Sequence, residues 1–360
     1  MSPEQTQAQA QVAEKGKELK LVFVSHGQWA KGEPVFIGSF DKPAIIRGQV
    51  QFSSNYECKG NDIRLHYKAQ AQVKWTERRN NKRITYHGKH LYAEEDSEIA
   101  LSHSKPGKIN PGAYASSFEF IVDPQTPSTI MGTYGWMVYK VKATLVRPFP
   151  SLNIVREQKV VVLNSCIPPP QPPLPDVPMT MCQHRNIFQK TVPFYCAIPS
   201  NVIHVGQQVP ITLKINPGVH IDPLASNPTI QVRSAVIKLK QYTNLSVRGG
   251  TKNSTKDIIA APINDGWPAP SQGNWQRTVL VTLPDAPTLS PTMVSSMMSK
   301  THKLKLIAQV QMGYSGTGEF TGSTKELRVE MDVTITGPRP AGDQYPVLDL
   351  QRYMAGVATA

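Results

Sequence analysis

The sequence lacks long hydrophobic runs. No stretch approaches the roughly 20 apolar residues that a membrane-spanning helix needs. The N-terminal segment MSPEQTQAQAQVAEKGKE contains no apolar core of the signal-peptide type. Together these two absences predict a cytoplasmic protein rather than a secreted or membrane-spanning one.

Cysteine is scarce, and its spacing indicates neither a metal site nor a redox motif. The cysteines are Cys58, Cys166, Cys182 and Cys196. They form no Cys-x-x-Cys pair, and the spacing of Cys182 and His184 fits no common zinc site. We therefore expect free thiols in a reducing compartment, with no bound metal and no other cofactor.

Motifs of catalysis are missing as well. The sequence contains no Gly-x-Ser-x-Gly elbow, no His-Glu-x-x-His pair and no phosphate-binding loop. One acidic cluster comprises Glu94, Glu95, Asp96 and Glu98. We expect this cluster to be a solvated loop, because adjacent carboxylates do not form the opposed pair that glycosidase-type chemistry requires. The sequence therefore predicts a protein that is not an enzyme.

Positive charge is abundant. Basic side chains outnumber acidic ones by 39 to 26, which gives a formal net charge of +13. A charge of this sign favours anionic partners, among them phosphorylated protein tails and the surface of an anionic membrane.

Strand periodicity dominates the sequence. Between positions 63 and 75, apolar residues occupy every odd position and polar residues every even one. This alternation is typical of a strand with one buried and one solvated face. Related segments predict strands at 19–24, 45–53, 83–92, 116–122, 134–146, 155–163, 209–215, 229–240, 275–283, 304–312 and 327–335. Turn residues separate them and no long amphipathic helix is apparent, so we predict antiparallel all-β sandwiches, with long loops at 244–273 and 284–300.

A proline-rich segment divides the chain. Residues 167–178, IPPPQPPLPDVP, contain seven prolines in twelve positions, which excludes a central strand and predicts an extended spacer. We therefore predict a disordered N-terminus at 1–17, a first domain at 18–165, a linker at 166–180, a second domain at 181–337 and a tail at 338–360.

Several motifs resemble the arrestin superfamily. In the first half these are IRGQV at 46–50, GAYASSFEFIVDPQTPS at 112–128 and YGWMVYKVKATL at 134–145. In the second half they are IPSNVIHVGQQVPI at 198–211 and VIKLKQ at 236–241. The ordered set covers about residues 19–337, with the proline spacer between the halves, and is more similar to the α-arrestin branch than to the visual arrestins.

The resemblance implies two immunoglobulin-like antiparallel β-sandwich domains joined by the proline-rich linker. It also implies a non-enzymatic adaptor in the cytoplasm, peripheral at the plasma membrane or endosomes. Such an adaptor links cytoplasmic tails of membrane transporters or receptors to ubiquitin ligases, endocytic proteins or signalling machinery. An endosomal coat or sorting scaffold with the same fold is the alternative. Many α-arrestins carry Pro-Pro-x-Tyr motifs for ligase WW domains, and this sequence has none.

A basic hairpin is the first candidate binding site. Asn80 and Asn81 suit a tight turn between two strands. The cations around this turn are Lys74, Arg78, Arg79, Lys82, Arg83 and Lys89. Arginine pairs can clamp phosphate, so a phosphorylated tail or an acidic lipid headgroup is a candidate ligand, whereas the alternative is a solvated turn whose charges protect a sheet edge. Nucleic acid is not expected, because Trp75 and Tyr86 fall on predicted core positions.

Two further segments carry candidate sites. Pro172, Pro173, Leu174 and Pro175 match a short ligand of WW or SH3 domains, although a stiff linker needs the same composition. In the cationic segment KTHKLK at 300–305, Lys303 and Lys305 fall on the polar positions of an alternating strand and are interpreted as its solvated face.

Overall fold

The computed structural model describes residues 7–14, 16–29, 32–39, 42–101, 103–105, 107–164, 179–187, 190–215, 228–263, 275–286, 288–314 and 324–337. Every regular element in these ranges is a β-strand. They contain no helix that is long and apolar enough to cross a membrane.

The first of two compact units comprises residues 1–168 together with 244–252 and 293–299. Up to residue 164 its strands are β1 (Gln7–Glu14), β2 (Lys17–Val24), β3 (Val35–Ile37), β4 (Ala44–Ser54), β5 (Cys58–Lys59), β6 (Ile63–Arg79), β7 (Lys82–Ile99), β8 (His103–Lys105), β9 (Lys108–Ile109), β10 (Gly112–Val122), β11 (Ile130–Met131), β12 (Gly135–Leu145) and β13 (Ile154–Leu163). One sheet has the order β1-β2-β4-β10, the second β3-β13-β12-β6-β7, and a small third sheet β5-β9-β8.

The two large sheets of the first unit pack face to face. The ring of Tyr67 on β6 stacks on Phe120 of β10, with centroids 5.2 Å apart. Phe23 of β2 likewise contacts Phe36 of β3 edge-on, at 6.1 Å. The inward residues of both sheets form one continuous apolar cluster. Alternation along the strands therefore produces a sandwich, because each strand contributes one apolar face to the shared core.

The second unit repeats this topology. The remaining strands of the chain are β14 (Met179–Ile187), β15 (Lys190–Ile198), β16 (Val202–His204), β17 (Gln208–Ile215), β18 (Pro228–Val247), β19 (Gly250–Ile263), β20 (Trp275–Thr282), β21 (Met293–Val294), β22 (Met298–Tyr314) and β23 (Lys325–Thr336). Their sheets have the orders β14-β15-β17-β20 and β16-β23-β22-β18-β19, strand for strand the arrangement of the first unit. One apolar cluster draws on both sheets. The prediction of two antiparallel β-sandwiches is confirmed.

Three predictions about unstructured segments differ from the structure. Gln7–Glu14, expected to be disordered, pairs along its whole length with β2 as an edge strand. The predicted loop at 244–273 contains the end of β18 and all of β19, and the predicted loop at 284–300 contains β21 and the start of β22. Backbone pairing explains these strands, because an edge strand such as β19 is largely exposed and needs no apolar alternation.

The structure does not test the prediction made for the proline-rich segment. Residues 165–178, which include Pro172, Pro173, Leu174 and Pro175, lie outside the described residues, and so does the tail at 338–360. Of the predicted linker, the structure describes only the last two residues, which begin β14. Its role as a spacer or as a WW or SH3 ligand stays a prediction.

Candidate functional site

The predicted basic hairpin is formed by β6 and β7. The two strands pair antiparallel from Ile63 opposite Ile99 to Arg79 opposite Lys82. Asn80 and Asn81 close the hairpin with positive φ angles of 49° and 61°. Two successive residues in the left-handed region are the requirement of a type I′ turn, and asparagine tolerates that region better than most residues.

The register sorts the six predicted cations onto two faces. Residues directly opposite one another project from the same face, so Arg78 shares a face with Arg83 and Arg79 with Lys82. A hydrogen bond of 3.1 Å between the hydroxyls of Thr76 and Thr85 marks the first of these faces. Together with the alternation of each strand, this face carries Lys74, Arg78, Arg83 and Lys89. We call these four residues the cationic face.

Among the described residues, the cationic face has no neutralising partner. All six cations of the hairpin are exposed, and their side chains form no ion pair or hydrogen bond with other described residues. Arg78 lies directly opposite Arg83. Like charges in directly opposed positions destabilise a strand pair. The register therefore places two cationic side chains directly opposite each other, at an electrostatic cost that a bound anion would reduce.

The other half of the same hairpin surface is neutralised. Lys68 pairs with Glu94 at 3.2 Å and His66 with Asp96 at 2.8 Å. Arg64 pairs with Glu98 at 3.5 Å. The acidic cluster predicted as a loop therefore lies on β7, where Glu94, Asp96 and Glu98 face basic partners on β6 and Glu95 lies opposite Tyr67. A register shift at Ala69/Gln70 separates this paired half from the cationic face.

Aromatic packing holds the reverse face of the hairpin. Trp75 is buried, as predicted, and its ring stacks on Tyr86 with centroids 5.0 Å apart. Segment 244–252 of the same unit packs closely here, because a Cβ on Gly250 would lie 2.5 Å from the Tyr86 ring. Glu77 on this face pairs with Lys252 at 3.1 Å. The cationic face is therefore presented by a hairpin with a rigidly packed back.

The predicted solvated face at 300–305 is only partly present, because Lys303 is half-buried and Lys305 is buried. Lys300 and His302 are buried, because they precede Leu304 on the inward face of β22. The His302 imidazole lies 2.9 Å from the Thr292 hydroxyl and 3.4 Å from the Gln241 side-chain oxygen. Burial and the neighbouring Lys300 lower the pKa of His302 to about 3, so the ring is neutral. Counting the alternation backwards from Leu304 would have found both residues.

The lysines of β22 all have polar partners. The Lys300 ammonium donates to the Ser290 hydroxyl at 3.0 Å, and burial together with Lys256 lowers its pKa to about 8. Lys303 pairs with Asp332, and Lys305 pairs with Glu330 at 2.9 Å. Among the described residues no cluster of His, Cys, Asp or Glu has the geometry to hold a metal ion.

Comparison with known proteins identifies the family. Residues 34–167 match the family model of the arrestin (or S-antigen) N-terminal domain, and residues 189–340 match that of the C-terminal domain. The chain belongs to the arrestin superfamily. It is 23% identical over 265 residues to an arrestin domain-containing protein of Schizosaccharomyces pombe, across 69% of this chain and 41% of that protein. This arrestin thus spans about two fifths of the length of that relative and lies on the α-arrestin-like branch.

Family membership gives the site a context. The cationic face lies within the arrestin N-terminal domain. Proteins of the arrestin family are generally non-enzymatic adaptors. The first two strands of this arrestin precede the matched region, although they belong to the same sheet as β4 and β10.

Proposed function

We propose that this arrestin is an adaptor that binds phosphorylated cytoplasmic tails of membrane transporters or receptors and links them to ubiquitination, endocytosis or signalling machinery. The observation that carries the proposal is the cationic face, with four exposed cations on one surface of a rigid hairpin. The link to further machinery rests on membership of the arrestin family.

The geometry of Arg78 and Arg83 suits a phosphate group. Directly opposed residues of an antiparallel pair have Cβ atoms about 5 Å apart, so both guanidinium groups can converge on one anion. Arginine binds phosphate through two parallel hydrogen bonds, and such charge-assisted bonds are stronger than neutral ones. Bound phosphate would also remove the repulsion between the two side chains.

The length of the cationic face suits an extended chain. From Arg78 to the position opposite Lys89 the strand advances six residues, which corresponds to about 20 Å at the usual rise per residue. An extended tail lying along this surface would meet Arg78 and Arg83 first and then Lys74 and Lys89. We therefore expect tails with acidic or further phosphorylated residues beside the first phosphate to bind most strongly.

Proximity labelling in living cells tests the proposal, with two matched variants of the same turn. One carries Arg78→Gln and Arg83→Gln on the cationic face, and the other Arg79→Gln and Lys82→Gln on the reverse face. Both remove two charges. We expect the first variant to label about tenfold less membrane protein than the unmodified chain, and the second variant to label the same amount.

Three outcomes would contradict the proposal. Equal losses in both variants would indicate a response to net charge, and no loss in either would leave the cationic face without a role. Recovery of neither membrane proteins nor ligase and endocytic factors by the unmodified chain would contradict an adaptor function.

A further inference from the structure

A second exposed feature lies in the turn between β12 and β13. The side chain of Phe149 is 95% exposed and that of Leu152 is 82% exposed. Other large exposed apolar residues of this unit, such as Ile121 and Met131, project from strands that belong to different sheets. Two bulky apolar side chains presented to water on one turn are unfavourable unless something covers them.

The turn is organised by its own hydrogen bonds. The Ser151 N–H donates to the Pro148 carbonyl at 3.0 Å, and the Arg147 N–H donates to the Asn153 side chain at 2.9 Å. The Arg147 guanidinium also donates to the Leu152 carbonyl. Pro148 and Pro150 have no N–H group at all. Few backbone donors would therefore lose hydration if this turn entered an apolar environment.

We propose that this turn, residues 147–152, inserts Phe149 and Leu152 into the interfacial region of an anionic membrane. Arg147 lies at the base of the turn, where lipid phosphates would lie. Asn61 donates to the Val146 carbonyl at 2.9 Å, which brings the segment that carries the exposed Lys59 beside the turn. An apolar tip with cations at its base is the arrangement of an interfacial membrane anchor.

A bilayer fits the turn better than a protein groove does. Grooves that recognise peptides take a helical face or an extended strand with several anchoring positions. This turn presents only two apolar side chains on a convex tip, and a fluid interface accepts such a tip without a matching pocket. Two short anchors give weak and reversible binding, so neighbouring cations would add to the affinity for anionic lipid.

The anchor is separate from the cationic face. Leu145, at the start of the turn, lies opposite Ile63, the first residue of β6. Arg79, beside the cationic face, is the last residue of β6, sixteen residues further along. That separation corresponds to about 50 Å along β6. The inference therefore does not rest on the proposed recognition of tails, and variants of the two sites distinguish them.

Co-sedimentation of the full chain with vesicles tests the inference. The vesicles are phosphatidylcholine alone or phosphatidylcholine with phosphatidylserine. We expect the unmodified chain to bind the anionic vesicles. Phe149→Ser and Leu152→Ser should each lower the affinity for these vesicles about tenfold. The matched control carries Ile121→Ser and Met131→Ser, which remove exposed apolar side chains elsewhere, and should bind as the unmodified chain does. A Phe149→Trp variant should gain fluorescence quenching by brominated lipids.

Several results would overturn the inference. These are no binding of the unmodified chain to either vesicle, equal losses in the control variant, or unchanged quenching in Phe149→Trp. Binding that is lost with Arg78→Gln and Arg83→Gln but kept with Phe149→Ser would place the membrane contact on the hairpin instead.

Discussion

Two tyrosines of the first core share a stack but differ at their hydroxyl groups. The rings of Tyr67 and Tyr139 lie with centroids 6.5 Å apart. The Tyr139 hydroxyl donates to the Pro127 carbonyl, whereas the buried Tyr67 hydroxyl has no hydrogen-bond partner among the described residues. Burial, together with the charge of Glu95, raises the pKa of Tyr67. A buried hydroxyl without a partner costs stability.

Removing each hydroxyl should therefore have opposite effects. We expect Tyr67→Phe to raise the free energy of unfolding by about 1 kcal/mol, and Tyr139→Phe to lower it by about 1 to 2 kcal/mol because Pro127 loses its donor. Equilibrium urea unfolding followed by tryptophan fluorescence measures both. Changes of the same sign in the two variants would contradict this difference.

Acid should weaken the second unit through His302. Its pKa lies near 3 in the folded chain and near the ordinary 6.5 in the unfolded chain. As the pH falls below about 6.5, His302 takes up a proton in the unfolded state but stays neutral in the folded state. The free energy of unfolding therefore falls by about 1.4 kcal/mol per pH unit. Above that pH this contribution is fully present.

Substitution of His302 isolates this effect from other titrating groups. His302→Asn keeps a polar atom near Thr292 but cannot take up a proton. Between about pH 7 and pH 5 we expect the variant to lose about 2 kcal/mol less stability than the unmodified chain. Hydrogen exchange of amides in β22 and β23 reports the opening of this unit. Parallel losses in both proteins would rule out His302 as the cause.

At the scale of elements, alternation predicts inner and edge strands alike, among them β6, β10 and β20, but not β1 or β19. The alternation at 63–75 predicts β6 because both sheet neighbours and the core constrain its side chains. β1 and β19 are edge strands, which need only one partner and a hydrogen-bonding backbone. Neither sequence carries the run of large apolar residues at alternate positions that marks β6.

The candidate site was predictable in composition but only partly in arrangement. The six cations and the Asn80–Asn81 turn are visible in the sequence. Their division into two faces depends on the register that a two-residue turn imposes. The pairing of Glu94 with Lys68 depends in addition on the irregularity at Ala69/Gln70, which shifts every later partner. No local pattern in the sequence marks that shift.

At the scale of the whole molecule, one sandwich topology occurs twice, but the cationic hairpin belongs to the first unit. The corresponding strands of the second unit, β18 and β19, are also joined by a two-residue connection. There, Lys238 and Lys240 both form ion pairs with Asp257. The repeated fold therefore provides the scaffold, and charge placement on one hairpin provides the proposed specificity.

The measurement that tests the central claim most directly is the affinity of the intact chain for degenerate serine peptides with and without phosphate. Fluorescence anisotropy would compare the unmodified chain with the Arg78→Gln, Arg83→Gln variant and with the Arg79→Gln, Lys82→Gln variant. We predict a preference for phosphorylated peptides of at least about tenfold, lost only in the first variant. An equal preference in all three proteins, or none in the unmodified chain, would contradict phosphate recognition by the cationic face.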